Sequence, residues 1–181
     1  MERCTWATTD LMKKYHDEEW GKPLHDDQAL FELLILETMQ AGLSWSTILN
    51  KRENYREALD GFDPNKIVQY NQEKIEELNS NPGIIRNKLK NASILKNAKA
   101  FLKVKQEYGT FDQYIWSFVE GKPIVNQFDS LEQLPAKTEL SVNVSKDMKK
   151  RGFSFVGPVT CYAFMEAAGL INDHINRCSF K

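Results

Sequence analysis

The chain is organised around residues 30–49, which read LFELLILETMQAGLSWSTIL. Asp26 and Asp27 offer N-cap oxygens just before this stretch, and Gly42 can end a helix in a left-handed conformation, so the pattern predicts a helix over residues 28–41. Apolar residues occupy nearly every side of that helix. Such a helix is expected to lie at the centre of the fold rather than on its surface.

One carboxylate, Glu37, interrupts the apolar surface of this helix. At about 100° per residue it lies between Leu30 and Leu33. A carboxylate buried there needs a hydrogen-bonding or charged partner, or a functional role. The tight turn at Gly42 and the indole of Trp45 follow directly, so the sequence predicts a pocket that combines a carboxylate with a flat ring. The alternative is a salt bridge near the helix end for Glu37 and ordinary core packing for Trp45.

Composition limits the class of protein. The 181 residues, of which 41% are hydrophobic and 27% charged, suit one soluble domain or two small lobes that share a core. No run of about 18 apolar residues is present, so no membrane span is expected. The first residues are neither a signal peptide nor a transit sequence, and we expect a cytoplasmic protein. A net charge of −1 argues against general polyanion binding, so any nucleic-acid contact should come from a local patch.

The rest of the chain is dominated by helical signals, and alternating strand patterns are scarce. One later helix has signals at both ends, with Gly157 before it, Pro158 at its first position and Gly169 after it. The segment 48–58 follows the central helix directly, and residues 124–138 form the least regular segment, which we expect at the surface. The other predicted helices cover residues 64–70, 72–78, 86–108, 110–119, 141–151 and 158–168.

Cysteine and histidine residues near the two ends have the spacing of a metal site. Cys4 and His16 lie in the first segment, and His174 and Cys178 lie four residues apart in the last one, so a helical turn would put that pair on one face. Two thiolates and two imidazoles suit tetrahedral zinc, and four protein ligands would make the site structural. The alternative is that these residues are unlinked. Two further residues lie outside the pattern. We expect Cys161 in the core and His25 at the surface.

Two segments are candidate sites for phosphate groups. Residues 79–85, NSNPGII, form a predicted hairpin that leads into a helix N-terminus and the basic residues after it, where free N–H groups can bind an anion. The second is the basic run at residues 146–151. Each has an ordinary explanation, as a turn between helices and as a solvated helix C-terminus. Together they are able to follow a nucleic-acid backbone.

Four aromatic residues surround the first predicted metal ligands and the central helix: Trp6, Tyr15, Trp20 and Trp45. Flat rings around one carboxylate suit a flat heteroaromatic ligand, and a cationic ligand best of all, because cation–π attraction adds to stacking. The alternative is four core aromatics.

Many separate motifs, in the same order, carry a resemblance to a known family. They are MERCTW at residues 1–6, YHDEEWG at 15–21, LE at 36–37, QAGLSW at 40–45, KRENYR at 51–56, GIIR at 83–86, WSFV at 116–119, KRGF at 150–153 and NDH at 172–174. Through these motifs the chain resembles the 3-methyladenine DNA glycosylase I family, bacterial enzymes of the helix-hairpin-helix superfamily.

The resemblance implies an all-α, two-lobed fold with residues 1–181 as a single glycosylase domain. Both termini would build a zinc-clasp lobe, and the middle of the chain a helix-hairpin-helix lobe. One structural zinc per chain would be held by the family's ligand positions, Cys4, His16, His174 and Cys178. The protein would be a monomer of the bacterial cytoplasm, associated with the nucleoid when it is on DNA.

The resemblance also assigns roles to single residues. Glu37 would be the catalytic, base-reading carboxylate, Trp45 the stacking ring and Tyr15 a hydrogen-bonding residue of the pocket. Further base-binding aromatics would be Trp6 and Trp20. The implied DNA contacts are Leu43, Gly83, Ile84, Arg86, Lys150 and Arg151. The implied substrate is double-stranded DNA containing 3-methyladenine, and the product is the free base.

Chemistry supports this assignment and leaves two alternatives open. Methylation at N3 makes adenine cationic, so the base departs as a neutral molecule and needs little acid catalysis after its extrusion from the duplex. The alternatives are a zinc-clasped module that binds nucleic acid without chemistry, and a zinc hydrolase with an open coordination position. Pro82 and Ile85 depart from the usual hairpin and predict a partial phosphate grip, and only three residues follow Cys178 to cover the clasp.

Overall fold

The computed structural model describes residues 1–181, and they are mostly helical, as the sequence predicts. No helix in it has both the length and the apolar character needed to cross a membrane. The ten α-helices are α1 (Asp10–Glu18), α2 (Asp27–Gln40), α3 (Trp45–Asn50), α4 (Arg52–Ala58), α5 (Pro64–Ile67), α6 (Gln72–Ser80), α7 (Lys88–Tyr108), α8 (Phe111–Ser117), α9 (Glu139–Lys150) and α10 (Pro158–Ala167).

The helix α2 occupies the central position that its sequence predicts. From Leu30 to Met39 every residue except Glu32 is buried, and the helix packs against α3, α7, α8 and α10. It begins where the Asp26 carboxylate accepts a hydrogen bond from the backbone N–H of Ala29, at 2.8 Å. The central helix therefore holds its one buried carboxylate, Glu37, in a rigid frame.

The structure differs from the sequence prediction in small ways. The segment 48–58 is two helices, α3 and α4, which meet at Lys51, and α3 begins earlier because the Ser44 side chain caps it. A two-stranded parallel pair, β1 (Ile124–Val125) with β2 (Ile171–Asn172), joins the irregular segment to the C-terminal part. Strands of two residues are too short to show alternation in the sequence.

The two ends of the chain lie side by side and build a small second core. The backbone N–H of Ser179 donates to the carbonyl of Glu2 at 2.9 Å, and that of Gly21 donates to the carbonyl of Glu166, also at 2.9 Å. A Cβ on Gly169 would lie 2.0 Å from the backbone carbon of Lys22, so only glycine permits this approach. The small core consists of Cys4, Tyr15, Trp20, Leu49, Ile175 and Cys178.

Candidate active site

Glu37 is buried without a partner. Its side chain lies on α2 with 5% exposure, its Oε2 atom has no hydrogen-bond partner, and no cationic side chain forms a salt bridge with it. Burial alone raises its pKa to about 8. The salt-bridge alternative is therefore wrong, and the carboxylate is available to a ligand.

The Glu37 carboxylate borders a cavity of about 290 Å³, here called the base pocket. This volume is near the lower end of the range of about 300–1,000 Å³ for small-molecule sites. The pocket brings together the carboxylate and the aromatic residues that the sequence singled out. Its lining is Trp6, Met12, Tyr15, Trp20, Glu37, Gln40, Trp45, Leu134, Ala163 and Glu166.

The aromatic rings form the walls of the base pocket. The ring of Tyr15 lies 5.1 Å from that of Trp45 at an angle of 46°, and Trp6 meets Trp20 edge-on at 5.1 Å. The indole Nε1 of Trp45 is buried without an acceptor. Burial, followed by the nearby carboxylate of Glu37, raises the pKa of Tyr15 well above its usual value, so its hydroxyl stays protonated. The pocket therefore offers flat apolar faces together with polar atoms at their edges.

A second cavity of about 230 Å³, here called the entrance cavity, adjoins the base pocket and shares Glu37, Gln40 and Ala163 with it. Its rim is the turn after α2, where Leu43 is 39% exposed. Glu37 lies where the two cavities meet.

Glu166 is a pocket residue that the sequence reasoning missed. It lies on α10, three residues after Ala163, and burial raises its pKa well above the usual value, with further increases from Asp173 and Glu37. The sequence contains a sign of this role, because Glu166 is the only charged residue of a helix that is otherwise largely apolar. The same reasoning that identified Glu37 in α2 applies to it.

The four predicted metal ligands converge in the small core. The side chains of Cys4, His16, His174 and Cys178, here called the metal group, are all buried, and their ligand atoms lie within 4.8 Å of one another. The Sγ of Cys178 is 3.3 Å from Nδ1 of His174 and 3.6 Å from Nε2 of His16. These residues come from opposite ends of the sequence, and no other group of their kind is present.

The surroundings of the metal group fit a bound cation. Nδ1 of His16 lies 2.7 Å from the Asp17 carboxylate, and Nε2 of His174 lies 2.8 Å from the carbonyl of Trp20. If each of these nitrogens carries the proton, the other ring nitrogen presents a lone pair to the group, as is usual for metal ligands. Burial lowers the pKa of His174 to about 4, which keeps its imidazole neutral. Burial is also the main reason that the pKa of Cys4 is about 11, and a cation would favour its thiolate.

The base pocket and the metal group share a wall. The ring of Trp20 lies 4.7 Å from that of His174, and the ring of Trp6 lies 5.2 Å from that of His16. Tyr15 of the pocket directly precedes His16 on α1. An ion in the metal group would thus fix two of the aromatic walls.

The loop between α6 and α7 has the turn that the sequence predicts, but its groups are used differently. The N–H of Gly83 donates to the side chain of Asn81 at 2.8 Å, so it is not free for an anion. The side chain of Ile84 is buried in the main core, which leaves only its backbone for a contact with DNA. Arg86 and Lys88 are exposed and form no ion pair.

The second basic segment divides in two. The guanidinium of Arg151 forms ion pairs with Asp147 at 2.8 Å and Glu107 at 2.6 Å, and it lies 5.1 Å from the ring of Tyr114. It is occupied within the protein, which argues against a contact with DNA. Lys150 is exposed and without an ion pair.

The two residues left outside the metal pattern lie where the sequence predicts. Cys161 is buried within α10. His25 is at the surface, with 55% of its side chain exposed and Nδ1 2.7 Å from the Asp112 carboxylate. Neither residue belongs to the site.

Known proteins resemble this chain over its whole length. The family model described as methyladenine glycosylase matches residues 6–181. The DNA-3-methyladenine glycosylase of Haemophilus influenzae is 50% identical over 180 residues, which are 99% of this chain and 97% of the relative. The DNA-3-methyladenine glycosylase 1 of Escherichia coli is 48% identical over 179 residues, 98% of this chain and 96% of the relative. A crystal structure of a 3-methyladenine DNA glycosylase I variant in complex with 3-methyladenine matches with a TM-score of 0.97 and 41% identity, over 100% of this chain and 98% of that chain.

Proposed function

The chain belongs to the methyladenine glycosylase family, and from this premise we propose that it uses Glu37 to recognise and excise 3-methyladenine from alkylated DNA. It hydrolyses the N-glycosidic bond of the damaged nucleotide, releases the free base and leaves an abasic site. The observation that carries this proposal is the unpartnered, buried carboxylate of Glu37 in an aromatic pocket.

Glu37 selects the lesion through charge. Extrusion places the methylated base in the pocket, where the carboxylate accepts a hydrogen bond from the exocyclic amino group and attracts the cationic ring. Normal adenine is uncharged and lacks this attraction, so the pocket discriminates by electrostatics. Because the lesion already carries the charge that weakens the glycosidic bond, the pocket has no need of a strong general acid.

The aromatic residues orient the base. Trp45 stacks on the flat ring and Tyr15 supplies a protonated hydroxyl at its edge, while Trp6 and Trp20 close the remaining walls. A positive ring between aromatic faces gains cation–π attraction in addition to stacking. We assign Gln40, Ala163 and Glu166 to the part of the wall that joins α2 to α10.

The metal group holds one structural zinc ion. Two thiolates and two neutral imidazoles are the donor set that tetrahedral zinc prefers, and His16 and His174 each have a second partner that orients the ring. With all four positions filled by the protein, such an ion supplies binding energy for the fold and no activated water. The chain's own residues then join the two termini into a zinc-clasp lobe next to the pocket.

DNA binds across the entrance cavity. We propose that α6, the loop 81–87 and α7 act as a helix-hairpin-helix element whose free groups, with Arg86 and Lys150, contact the backbone. Leu43 approaches the gap that the extruded base leaves. We further propose that the protein acts as a monomer, with residues 1–181 as one domain, in the bacterial cytoplasm.

Chromatography of the bases released from methylated DNA tests the activity. Incubation of the protein with dimethyl-sulfate-treated duplex DNA should release 3-methyladenine, and the Glu37→Gln variant should release it more slowly. A zinc-clasped binding module without chemistry would bind the same DNA and release no base, and that outcome would overturn the proposal.

A further inference from the structure

A buried lysine connects the end of α2 to the beginning of α7. The Nζ of Lys90 lies 2.7 Å from the carbonyl oxygen of Met39 and 2.6 Å from that of Ala41. The lysine is 5% exposed and forms no salt bridge. Its positive charge is therefore balanced by backbone carbonyl dipoles alone.

The burial of this charge opposes stability. Burial lowers the pKa of Lys90, and although its backbone lies in the first turn of α7, its ammonium group lies against carbonyls at the negative end of the α2 dipole. That turn contains no acidic residue. Taking an ammonium group out of water costs several kcal/mol, roughly, and two carbonyl groups offset this cost only in part. We therefore expect Lys90 to act on the backbone conformation of the segment that it contacts.

That segment, residues 40–43, is a type II turn. Ala41 has φ −47° and ψ 118°, Gly42 has φ +79°, and the N–H of Leu43 donates to the carbonyl of Gln40 at 2.7 Å. Types I and II differ by a flip of the peptide between the two central residues, and the carbonyl of that peptide belongs to Ala41. It is the carbonyl that Lys90 binds.

Gly42 allows the flipped form, which needs a positive φ at that position, but it does not by itself exclude the unflipped one. Glycine adopts either sign of φ readily, and no atom lies within 4 Å of the position that a Cβ on Gly42 would occupy. The last turn of α2 has no basic residue of its own to bind the carbonyls at its end. The ammonium of Lys90 supplies that cap from 49 residues away in the sequence.

We propose that Lys90 is a positioning residue for base extrusion: its two hydrogen bonds hold the turn 40–43 in the type II form and so direct Leu43 at the rim of the entrance cavity. This inference rests on the proposed function, since only extrusion of a base from a duplex needs Leu43 in a fixed direction. It acts through geometry, because burial alone accounts for the raised pKa of Glu37 and Lys90 has no part in it. Recognition of the free base should therefore be retained without Lys90.

Lys90→Met removes both donors and keeps an unbranched apolar side chain. The matched control is Lys99→Met, at an exposed lysine of the same helix. Single-turnover release of 3-methyladenine is measured from methylated duplex and methylated single-stranded DNA, and the results are corrected for the folded fraction. We expect Lys90→Met to slow release from the duplex roughly ten- to hundredfold, because small misplacements of a positioned group cost this much. Release from the single strand and affinity for free 3-methyladenine should change less than about threefold, because neither needs Leu43 to be placed within a duplex.

A double-mutant cycle with Leu43→Ala identifies the path of the effect. If Lys90 acts through Leu43, the duplex-selective loss disappears when Lys90→Met is made in the Leu43→Ala background. Gly42→Ala gives a second approach that leaves Lys90 in place: it disfavours the type II turn and should reproduce the duplex-selective loss. Lys90→Arg keeps donors at the site and should restore part of the rate, and it replaces Lys90→Met in the cycle if that variant does not fold.

The outcomes separate the two proposals. If the unmodified protein releases no 3-methyladenine, the proposed function fails. If it does, and Lys90→Met releases the base from duplex DNA as fast as Lys99→Met, the inference fails and the proposed function stands. An equal loss on duplex and single strand, or an undiminished loss in the Leu43→Ala background, would also overturn the inference, because the role of Lys90 would then be merely structural.

Discussion

The ring of Tyr15 lies 5.1 Å from the ring of Trp45, and the residue after Tyr15 is His16 of the metal group. One short helix, α1, thus supplies a wall of the base pocket and a ligand position for the ion. The base pocket and the metal group are physically continuous but chemically separate, because Glu37 is not part of the metal group. Stability and recognition can therefore be tested separately.

Loss of a metal ligand should affect the fold first. We expect one zinc ion per chain in the freshly purified protein, and Cys178→Ala should release it and lower the free energy of unfolding by more than about 2 kcal/mol. Metal analysis and chemical denaturation measure both effects. Cys161→Ala is the matched control, a buried cysteine outside the metal group that should keep the ion. Native protein without zinc would contradict the assignment.

The stability of the protein should depend on Glu37 with a defined sign. Its pKa is about 8 in the fold against an ordinary 4.5, so the folded state favours the protonated form. The contribution of the protonated carboxyl to the free energy of unfolding is fully present below about pH 4.5. It is lost as the pH rises to about 8. Because glutamine cannot ionise, Glu37→Gln should become more stable relative to the unmodified protein as the pH rises from 5 to 8.5.

Denaturation at these two pH values checks this expectation. Glu73→Gln, at an exposed glutamate of α6, is the matched control. A Glu37→Gln variant that is less stable than the unmodified protein at both pH values would show that the carboxylate has a stabilising partner.

The sequence was most informative where local chemistry dominates. The cap at Asp26, the apolar surface of α2 and the single acid within that surface can be read directly from neighbouring residues, and these features locate the pocket. The spacing of His174 and Cys178 and the pair at the other end anticipated the group that the structure brings together.

Features that depend on distant residues could not be predicted. The hydrogen bond from Lys90 to the carbonyl of Ala41 joins residues 49 positions apart, and no local sequence pattern indicates it. The basic run at residues 146–151 suggested a DNA contact for Arg151, but the carboxylates of Glu107 and Asp147 occupy that side chain. Only the packing of α9 against its neighbours decides which cations remain free.

Excision should also depend on pH through Glu37. The ionised carboxylate attracts the cationic base, so single-turnover release at subsaturating enzyme should rise as the pH passes through about 8. Between pH 7 and pH 9 the ionised fraction, and hence the rate, should increase roughly tenfold. Glu37→Gln should abolish this rise, and a rise of the same size in the variant would assign the ionisation to another group.

Binding of DNA should weaken when the exposed charges of Arg86 and Lys150 are removed. Arg86→Ala and Lys150→Ala should each lower the affinity for any duplex and reduce the slope of log affinity against log salt by roughly 1, without a change in which base is released. Lys103→Ala, at an exposed position in the C-terminal half of α7, is the control. Arg151→Ala should mainly lower stability, since its partners lie within the protein. Unchanged affinity in Arg86→Ala and Lys150→Ala at low salt would show that the DNA face lies elsewhere.

Titration of free 3-methyladenine against the unmodified protein and Glu37→Gln, followed by tryptophan fluorescence, tests the central claim most directly. At pH 9, where the carboxylate is largely ionised, glutamine keeps the size of the side chain and removes its charge, so a charge-assisted hydrogen bond worth about 1.5–3 kcal/mol is lost. The affinity should fall roughly tenfold to a hundredfold while the variant stays folded. Unchanged affinity together with a lowered melting temperature would contradict the claim that Glu37 reads the base.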